Sequence, residues 1–192
     1  MLRKTIIILF VFAFCLPIMV SSICAFQPTS VVILPTYNTD KYFQDEEIIS
    51  AMEYKLKRHF RYPFYELVTP ENINNAMNSL DYNLKEKNPY DREYLKGISE
   101  KTCADIVVIL HLKKAYSYTY IRGIRNPEYI QDTYVELYCY IYNDKDNYYN
   151  KFHTGKNTTD WPNIHSGLDY VLPELTDELV KKLPYKTIPD TK

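Results

Sequence analysis

The sequence predicts a single α/β domain in which helices pack on a mixed β-sheet. Three observations support this fold class. In the first half of the chain, short runs rich in Val and Ile alternate with segments of helical periodicity. An alternating segment follows, and the polar turn 143–147 joins it to a further predicted strand, which indicates a hairpin. A leucine-rich helical stripe closes the chain. The predicted order is therefore β-α-β-α-α-β-β-β-α.

Residues 1–25 have the pattern of a secretory signal peptide. Arg3 and Lys4 form a positive start, and residues 5–16 are an apolar run. That run is shorter than the roughly 20 apolar residues needed to span a bilayer. We expect export and cleavage. An uncleaved anchor is one alternative, and an atypical lipoprotein attached through Cys24 is another.

The exported part is predicted to begin with a buried strand at 31–34, followed by a long helix. Acidic residues 45–47 open this helix and basic residues, including His59, close it, which complements the helix dipole. We expect His59 to be one of the cations favoured at that end. The apolar stripe recurs at every fourth residue: Ile48, Met52, Leu56 and Phe60.

A second strand is predicted at 64–68, and two helices follow it. Thr69 can cap the first of them, and Pro70 suits its first position. Asn88-Pro89 repeats this start signal for the next helix, which is predicted to end near Thr102.

The most hydrophobic segment of the exported part, 106–112, is the predicted central strand, and it continues as an alternating stretch with three tyrosines. Residues 133–142 alternate almost perfectly, and 148–154 return as the hairpin partner. The last helix is predicted over 168–183. Pro173 is expected to kink it or to split it near Leu172.

Composition limits the possible functions. Removing residues 1–25 leaves 21 basic and 24 acidic side chains, a net charge of −3 with histidines neutral, which argues against nucleic-acid binding. Only four glycines occur in the chain, so a glycine-rich phosphate loop is excluded. The predicted organisation is a signal peptide (1–25), one α/β domain (26–186) and a flexible tail (187–192).

Residues 31–38 (VVILPTYN), 64–70 (FYELVTP) and 103–108 (CADIVV) resemble three segments of a family of bacterial envelope proteins that comprises the TolB N-terminal domain, CsgG and LpoB. Residues 31–38 (VVILPTYN) are similar to the family's first strand, an apolar run ending in Leu-Pro with Asn soon after. Residues 64–70 fall where the family has its second strand and next helix start. Residues 103–108 (CADIVV) match its Gly-Ala-Asp approach to the third strand, with Cys103 in place of Gly and His111 where a later Gly is usual. The resemblance implies a fold and a periplasmic location.

No arrangement of side chains predicts catalysis, a metal site or a cofactor. Cys103 and Cys139 are expected at buried positions, and we favour two free thiols over the disulfide that export would permit. His111 is expected to be a structural histidine in the central strand. A hydrolase or a small-molecule-binding enzyme that uses His111 or His153 is the alternative hypothesis.

The tyrosines are the one positive signal for function. The chain has 20 of them. Four are predicted to line one side of a strand, and three more lie on the preceding strand. Tyrosine combines apolar area with a hydroxyl group and is frequent in contact surfaces. The leading hypothesis is a non-catalytic exported protein that binds another envelope protein through this tyrosine-rich face or its edge; the alternative is that helices cover the face. The predicted contact residues are Tyr134, Tyr138, Tyr140 and Tyr142.

Overall fold

A computed structural model describes residues 27–163 and 165–186, and it confirms the α/β class. The strands are β1 (Thr29–Ile33), β2 (Tyr37–Asn38), β3 (Tyr65–Leu67), β4 (Ile106–Arg122), β5 (Glu128–Asn143) and β6 (Tyr148–Asp160). These six strands form one mixed sheet in the order β3-β1-β4-β5-β6, with β2 pairing beside β4. Strands β3, β1 and β4 are parallel, whereas β4, β5 and β6 are antiparallel.

Five helices lie in the described residues, and local signals explain where two of them begin. The Asp45 carboxylate accepts hydrogen bonds from the amides of Glu47 and Ile48 and so caps the first helix. Thr69 accepts from the amide of Asn72 and caps the second. The helices are α1 (Glu46–His59), α2 (Pro70–Asn78), α3 (Tyr82–Lys85), α4 (Arg92–Thr102) and α5 (Leu168–Lys181).

The sheet has a helix layer on each side. Val135, Leu137, Cys139 and Ile141 of β5 pack in one core cluster with α1 and α5. On the other side, Tyr140 and Tyr142 pack in a second cluster with α2 and α4. We call these the α1/α5 face and the α2/α4 face. The alternation predicted along β5 is therefore confirmed.

The hairpin β4–β5 extends well beyond the helices. At one end of the hairpin Ile106 is paired with Asn143, and at the other end Arg122 is paired with Glu128. From Tyr116 outward, the α2/α4-face side chains of β4 are exposed. At about 3.3 Å per residue, the exposed section from Tyr116 to Arg122 is about 20 Å long.

The predicted order is incomplete, because the structure adds the two-residue strand β2 and the four-residue helix α3. Helix α4 begins after Asp91 and not at Asn88-Pro89. Strands β4, β5 and β6 are also longer than the predicted segments.

Helix α5 is one continuous helix through Pro173, so the predicted split near Leu172 is wrong. A proline inside a helix costs about 3 kcal/mol. The apolar stripe of α5, which includes Val171, Leu172, Leu175 and Leu179, is fully buried on the α1/α5 face. Burial of such side chains stabilises by about 1.5–3 kcal/mol each, which outweighs the proline.

The predicted signal peptide, 1–25, and the predicted tail, 187–192, lie outside the described residues. Across the part of the chain that is described, no helix combines the length and the apolar character needed to cross a bilayer.

Candidate functional site: a tyrosine strip on the sheet

The four predicted contact tyrosines of β5 share the α2/α4 face, but they differ in exposure. Tyr140 and Tyr142 are only 6% and 1% exposed, because they pack in the second core cluster, where Tyr140 also stacks on Tyr90. Tyr134 and Tyr138 lie half-buried farther along the strand. Tyr140 and Tyr142 are therefore core residues. Of the four predicted contact tyrosines, only Tyr134 and Tyr138 are accessible to a partner.

The exposed aromatic surface continues onto β4. Tyr116 is directly opposite Tyr134 in the register, and their rings stack with centroids 5.5 Å apart. Along β4, the centroids of Tyr116 and Tyr118 are 5.9 Å apart, and those of Tyr118 and Tyr120 are 5.8 Å apart. Residues two apart on a strand share a face, which places these rings in a row. We call the row the tyrosine strip: Tyr116, Tyr118, Tyr120, Tyr134 and Tyr138.

Charged groups lie among the rings at the inner end of the strip. The Lys113 ammonium is 3.0 Å from a Glu136 carboxylate oxygen, and the Tyr138 hydroxyl donates to the same oxygen. The hydrogen bond to Glu136 and partial burial raise the pKa of Tyr138 to about 12. The same hydrogen bond and the Lys113 charge lower the pKa of the Glu136 carboxyl.

Two more lysines have their ammonium groups over tyrosine rings. The Lys151 nitrogen is 4.1 Å from the Tyr138 ring centroid. The Lys114 nitrogen is 5.2 Å from the Tyr116 centroid and 5.4 Å from that of Tyr134. All three distances fall within the range of cation–π contacts.

A β-bulge brings two of these lysines to the same face. The pairing shifts between Leu112 and Lys114, so Lys113 is an extra residue opposite β5. In regular alternation the two consecutive lysines would point to opposite faces, yet Lys113 contacts Glu136 and Lys114 contacts Tyr134. The two consecutive lysines, which interrupt the alternation of β4, are the sequence signal for this arrangement.

His111 lies beneath the inner end of the strip. It is 5% exposed, stacks on Tyr90 at 4.8 Å with nearly parallel rings, and its Nε2 is 2.9 Å from the Thr39 hydroxyl. Tyr90 stacks in turn on Tyr140 at 4.8 Å. Burial, with the nearby charges of Lys113 and Lys151, lowers the pKa of His111 to about 4. His111 is therefore a neutral ring at the end of a stack that continues through Tyr90 to Tyr140.

His153 and His111 both reach Tyr138. The ring centroids of His153 and Tyr138 are 4.7 Å apart, and those of His111 and Tyr138 are 5.9 Å apart. His153 is exposed. Within residues 27–163 and 165–186, no group of three His, Cys, Asp or Glu side chains could hold a metal ion.

His59 is not the helix-end cation that the sequence predicts. It is only 6% exposed, and burial lowers its pKa to about 4, so it is neutral near pH 7. Neither ring nitrogen has a hydrogen-bond partner among the described residues. Its ring meets Phe60 edge-on, with centroids 4.8 Å apart, on the α1/α5 side.

The two cysteines of the domain are free thiols, as favoured from the sequence. Cys139 is buried, and burial raises the pKa of its thiol well above the ordinary value. Cys103 is exposed, which corrects the expectation that both are buried. It ends α4 in the left-handed conformation with φ 53°, the conformation that glycine adopts most easily. The left-handed conformation therefore favours Gly at position 103, which is the residue that the TolB/CsgG/LpoB family has there.

No known family profile and no curated protein sequence matches the chain. Among solved structures, a PelC dodecamer from Paraburkholderia phytofirmans has a TM-score of 0.42 and 13% identity, covering 81% of this chain and 86% of that chain. A lipoprotein from Neisseria meningitidis has a TM-score of 0.43 and 11% identity, with coverages of 81% and 97%. The LpoB C-terminal domain from Salmonella enterica has a TM-score of 0.39 and 10% identity, with coverages of 75% and 90%.

All three TM-scores are below 0.5, so these similarities carry no argument about function. LpoB belongs to the family that residues 31–38, 64–70 and 103–108 resemble. Membership of that family stays a prediction.

Proposed function

We propose that this protein is an exported, non-catalytic domain that binds another protein of the cell envelope through the tyrosine strip. Export rests on the signal-peptide pattern of residues 1–25, and the periplasmic location rests on the resemblance of residues 31–38, 64–70 and 103–108 to the envelope family. The binding role rests on one observation: tyrosine rings in contact with one another, Tyr116, Tyr118, Tyr120 and Tyr134, continue along the hairpin beyond the last helix that covers this face.

The strip has the chemical character of a contact surface. Tyr118, between Tyr116 and Tyr120, is 52% exposed, and its hydroxyl donates to Asp132 at 3.0 Å, which holds the ring in place. A ring already held in place loses little conformational entropy when a partner covers it. Its apolar face remains available to a partner, and its hydroxyl oxygen, which donates its hydrogen to Asp132, can still accept a hydrogen bond.

The hairpin supports the strip as a rigid element. Residues Tyr116–Tyr120 of β4 are paired with Ile130–Tyr134 of β5. Strand β5 is paired in turn with β6 as far as Gln131, which lies opposite Asp160. The Ser117 and Thr133 hydroxyls, 2.9 Å apart, bridge the strands on the opposite side. A site on paired strands holds its geometry better than one on a loop.

The test is a comparison of two tyrosine substitutions that both affect exposed side chains. Tyr118→Ser removes the ring that contacts both Tyr116 and Tyr120, whereas Tyr54→Ser removes a tyrosine of α1 that is 66% exposed on the other side of the sheet. Protein captured by the wild type from envelope extracts is identified by mass spectrometry, purified and titrated against each variant.

We expect Tyr118→Ser to weaken the purified complex at least tenfold and Tyr54→Ser to leave it unchanged, with both variants retaining the wild-type circular dichroism. Equal binding by the two variants would contradict the assigned surface. Tyr140 is unsuitable for this test, because it is a buried core side chain stacked on Tyr90.

A further inference from the structure

The inner end of the tyrosine strip carries more positive charge than its own acidic groups neutralise. Glu136 is paired with Lys113 and accepts the Tyr138 hydroxyl as well. The ion pairs of the described residues include no carboxylate partner for Lys114 or Lys151. Their ammonium groups lie over the rings of Tyr134 and Tyr138 instead.

Cation–π contacts at exposed sites are weak and leave an ammonium group able to accept a better partner. Lys114 and Lys151 are both exposed, so each can turn from its ring toward an incoming carboxylate without breaking an ion pair. Both lie beside the rings that a partner would cover. The positive charge and the aromatic area thus form one surface.

This local charge is opposite in sign to that of the domain. The chain without residues 1–25 carries a net charge of −3, with 21 basic and 24 acidic side chains. A surface of opposite sign to the whole molecule attracts complementary partners at that place only. Lys113 and Lys151 also help to lower the pKa of His111 beneath the surface, which is consistent with a positive field there.

We infer that the segment of the partner that docks on this surface is an acidic polypeptide, rich in Asp and Glu, whose carboxylates pair with Lys114 and Lys151 while its neighbouring side chains lie on the tyrosine rings. This inference rests on the proposed function and specifies the chemistry of the partner. The carboxylates of the partner fix its position along the strip by pairing with the lysines, and the tyrosine rings provide most of the contact area.

The test uses fluorescent synthetic peptides as probes and fluorescence anisotropy as the readout. One peptide alternates glutamate with alanine, and the other alternates lysine with alanine. The proteins are the wild type, Lys114→Gln/Lys151→Gln, and a control with the same loss of charge, Lys101→Gln/Lys181→Gln. Lys101 closes α4 and Lys181 closes α5, and both are exposed away from the strip.

We expect the wild type and the control to bind the glutamate peptide, and the strip variant to bind it roughly tenfold more weakly, as the loss of two exposed ion pairs implies. Binding should weaken as salt rises, and the lysine peptide should not bind. Equal affinity of the strip variant and the control would overturn the inference. Binding of phosphatidylglycerol vesicles without binding of the glutamate peptide would overturn it too, because the surface would then favour a lipid headgroup.

The same variants separate this inference from the proposed function. If Tyr118→Ser weakens the captured partner but Lys114→Gln/Lys151→Gln does not, the strip is a protein-binding surface and the acidic partner is wrong. If neither variant weakens it, both the surface and the partner chemistry are refuted.

Discussion

His59 offers a test of the fold through acid stability. Its ring is buried with a pKa of about 4, against an ordinary value of 6.5. Because the folded-state pKa is below the unfolded one, the neutral ring contributes stability that is fully present above about pH 6.5. That stability is lost as the pH falls toward 4, because the unfolded chain then binds the proton more readily.

The size of the effect follows from the pKa shift. A shift from 6.5 to about 4 makes the folded state lose about 3 kcal/mol between pH 7 and pH 4. His111, whose pKa is also about 4, adds a contribution of similar size and the same sign. Together they approach the lower end of the roughly 5–15 kcal/mol by which a typical domain is stable, so we expect a large loss of stability by pH 4.

The substitution His59→Leu isolates one of the two histidines. At pH 7 we expect it to raise the free energy of unfolding by about 1 kcal/mol, because both ring nitrogens are buried without a hydrogen-bond partner among the described residues. Between pH 7 and pH 4 it should lose about 3 kcal/mol less than the wild type. His165→Gln, a change at an exposed histidine, is the control.

Urea unfolding followed by far-ultraviolet circular dichroism, at several values between pH 7 and pH 4, measures these differences. Carboxylates such as Glu136 titrate in all three proteins and cancel when the curves are subtracted. Parallel pH curves for the wild type and His59→Leu would show that His59 is not buried in neutral form, and the packing of α1 on the sheet would then be wrong.

Three further predictions concern the cysteines and the two classes of tyrosine. Cys103→Gly should raise the unfolding free energy by about 0.5–1 kcal/mol, because glycine avoids most of the cost of the left-handed conformation; an unchanged or lower stability in urea titrations would contradict this. In the domain without residues 1–25, a thiol reagent should label Cys103 in the folded state and Cys139 only after unfolding; rapid labelling of both would disprove the burial of Cys139. Tyr140→Ala should cost about 3–5 kcal/mol and Tyr118→Ala less than about 0.5, since only Tyr140 is buried; similar melting temperatures for the two variants would refute the division of the tyrosines.

Local signals predicted several elements well. The acidic start of α1 and its apolar spacing of four residues place the helix where the structure has it, with Asp45 as its cap. The alternation of β5 correctly separated Val135 and Leu137 from the tyrosines, because successive side chains of a strand point to opposite faces.

The sequence does not predict which side chains on each face of the sheet are covered by helices and loops. Whether Tyr140 is core and Tyr134 is accessible depends on where α4 and Tyr90 pack, some fifty residues earlier in the chain. His59 is a similar case. Its place in the last turn of α1 predicts a cation, and only the tertiary packing beside Phe60 makes it neutral.

The accessible part of the site was also only partly predictable. The tyrosines of β4 could be identified by alternation, and their stacking with Tyr134 follows from the register. The bulge that brings Lys113 and Lys114 onto one face is set by pairing between strands and leaves no local pattern beyond the two consecutive lysines.

The most direct test of the binding surface is site-specific photo-crosslinking in intact cells. A photoreactive phenylalanine analogue replaces Tyr118 in one strain and Tyr54 in another, since both side chains are exposed and differ mainly in the face they occupy. The proposal predicts a discrete crosslinked product at position 118, identified by mass spectrometry as an envelope protein, and none at position 54. No product at position 118, or the same product at both positions, would contradict a binding role for the tyrosine strip.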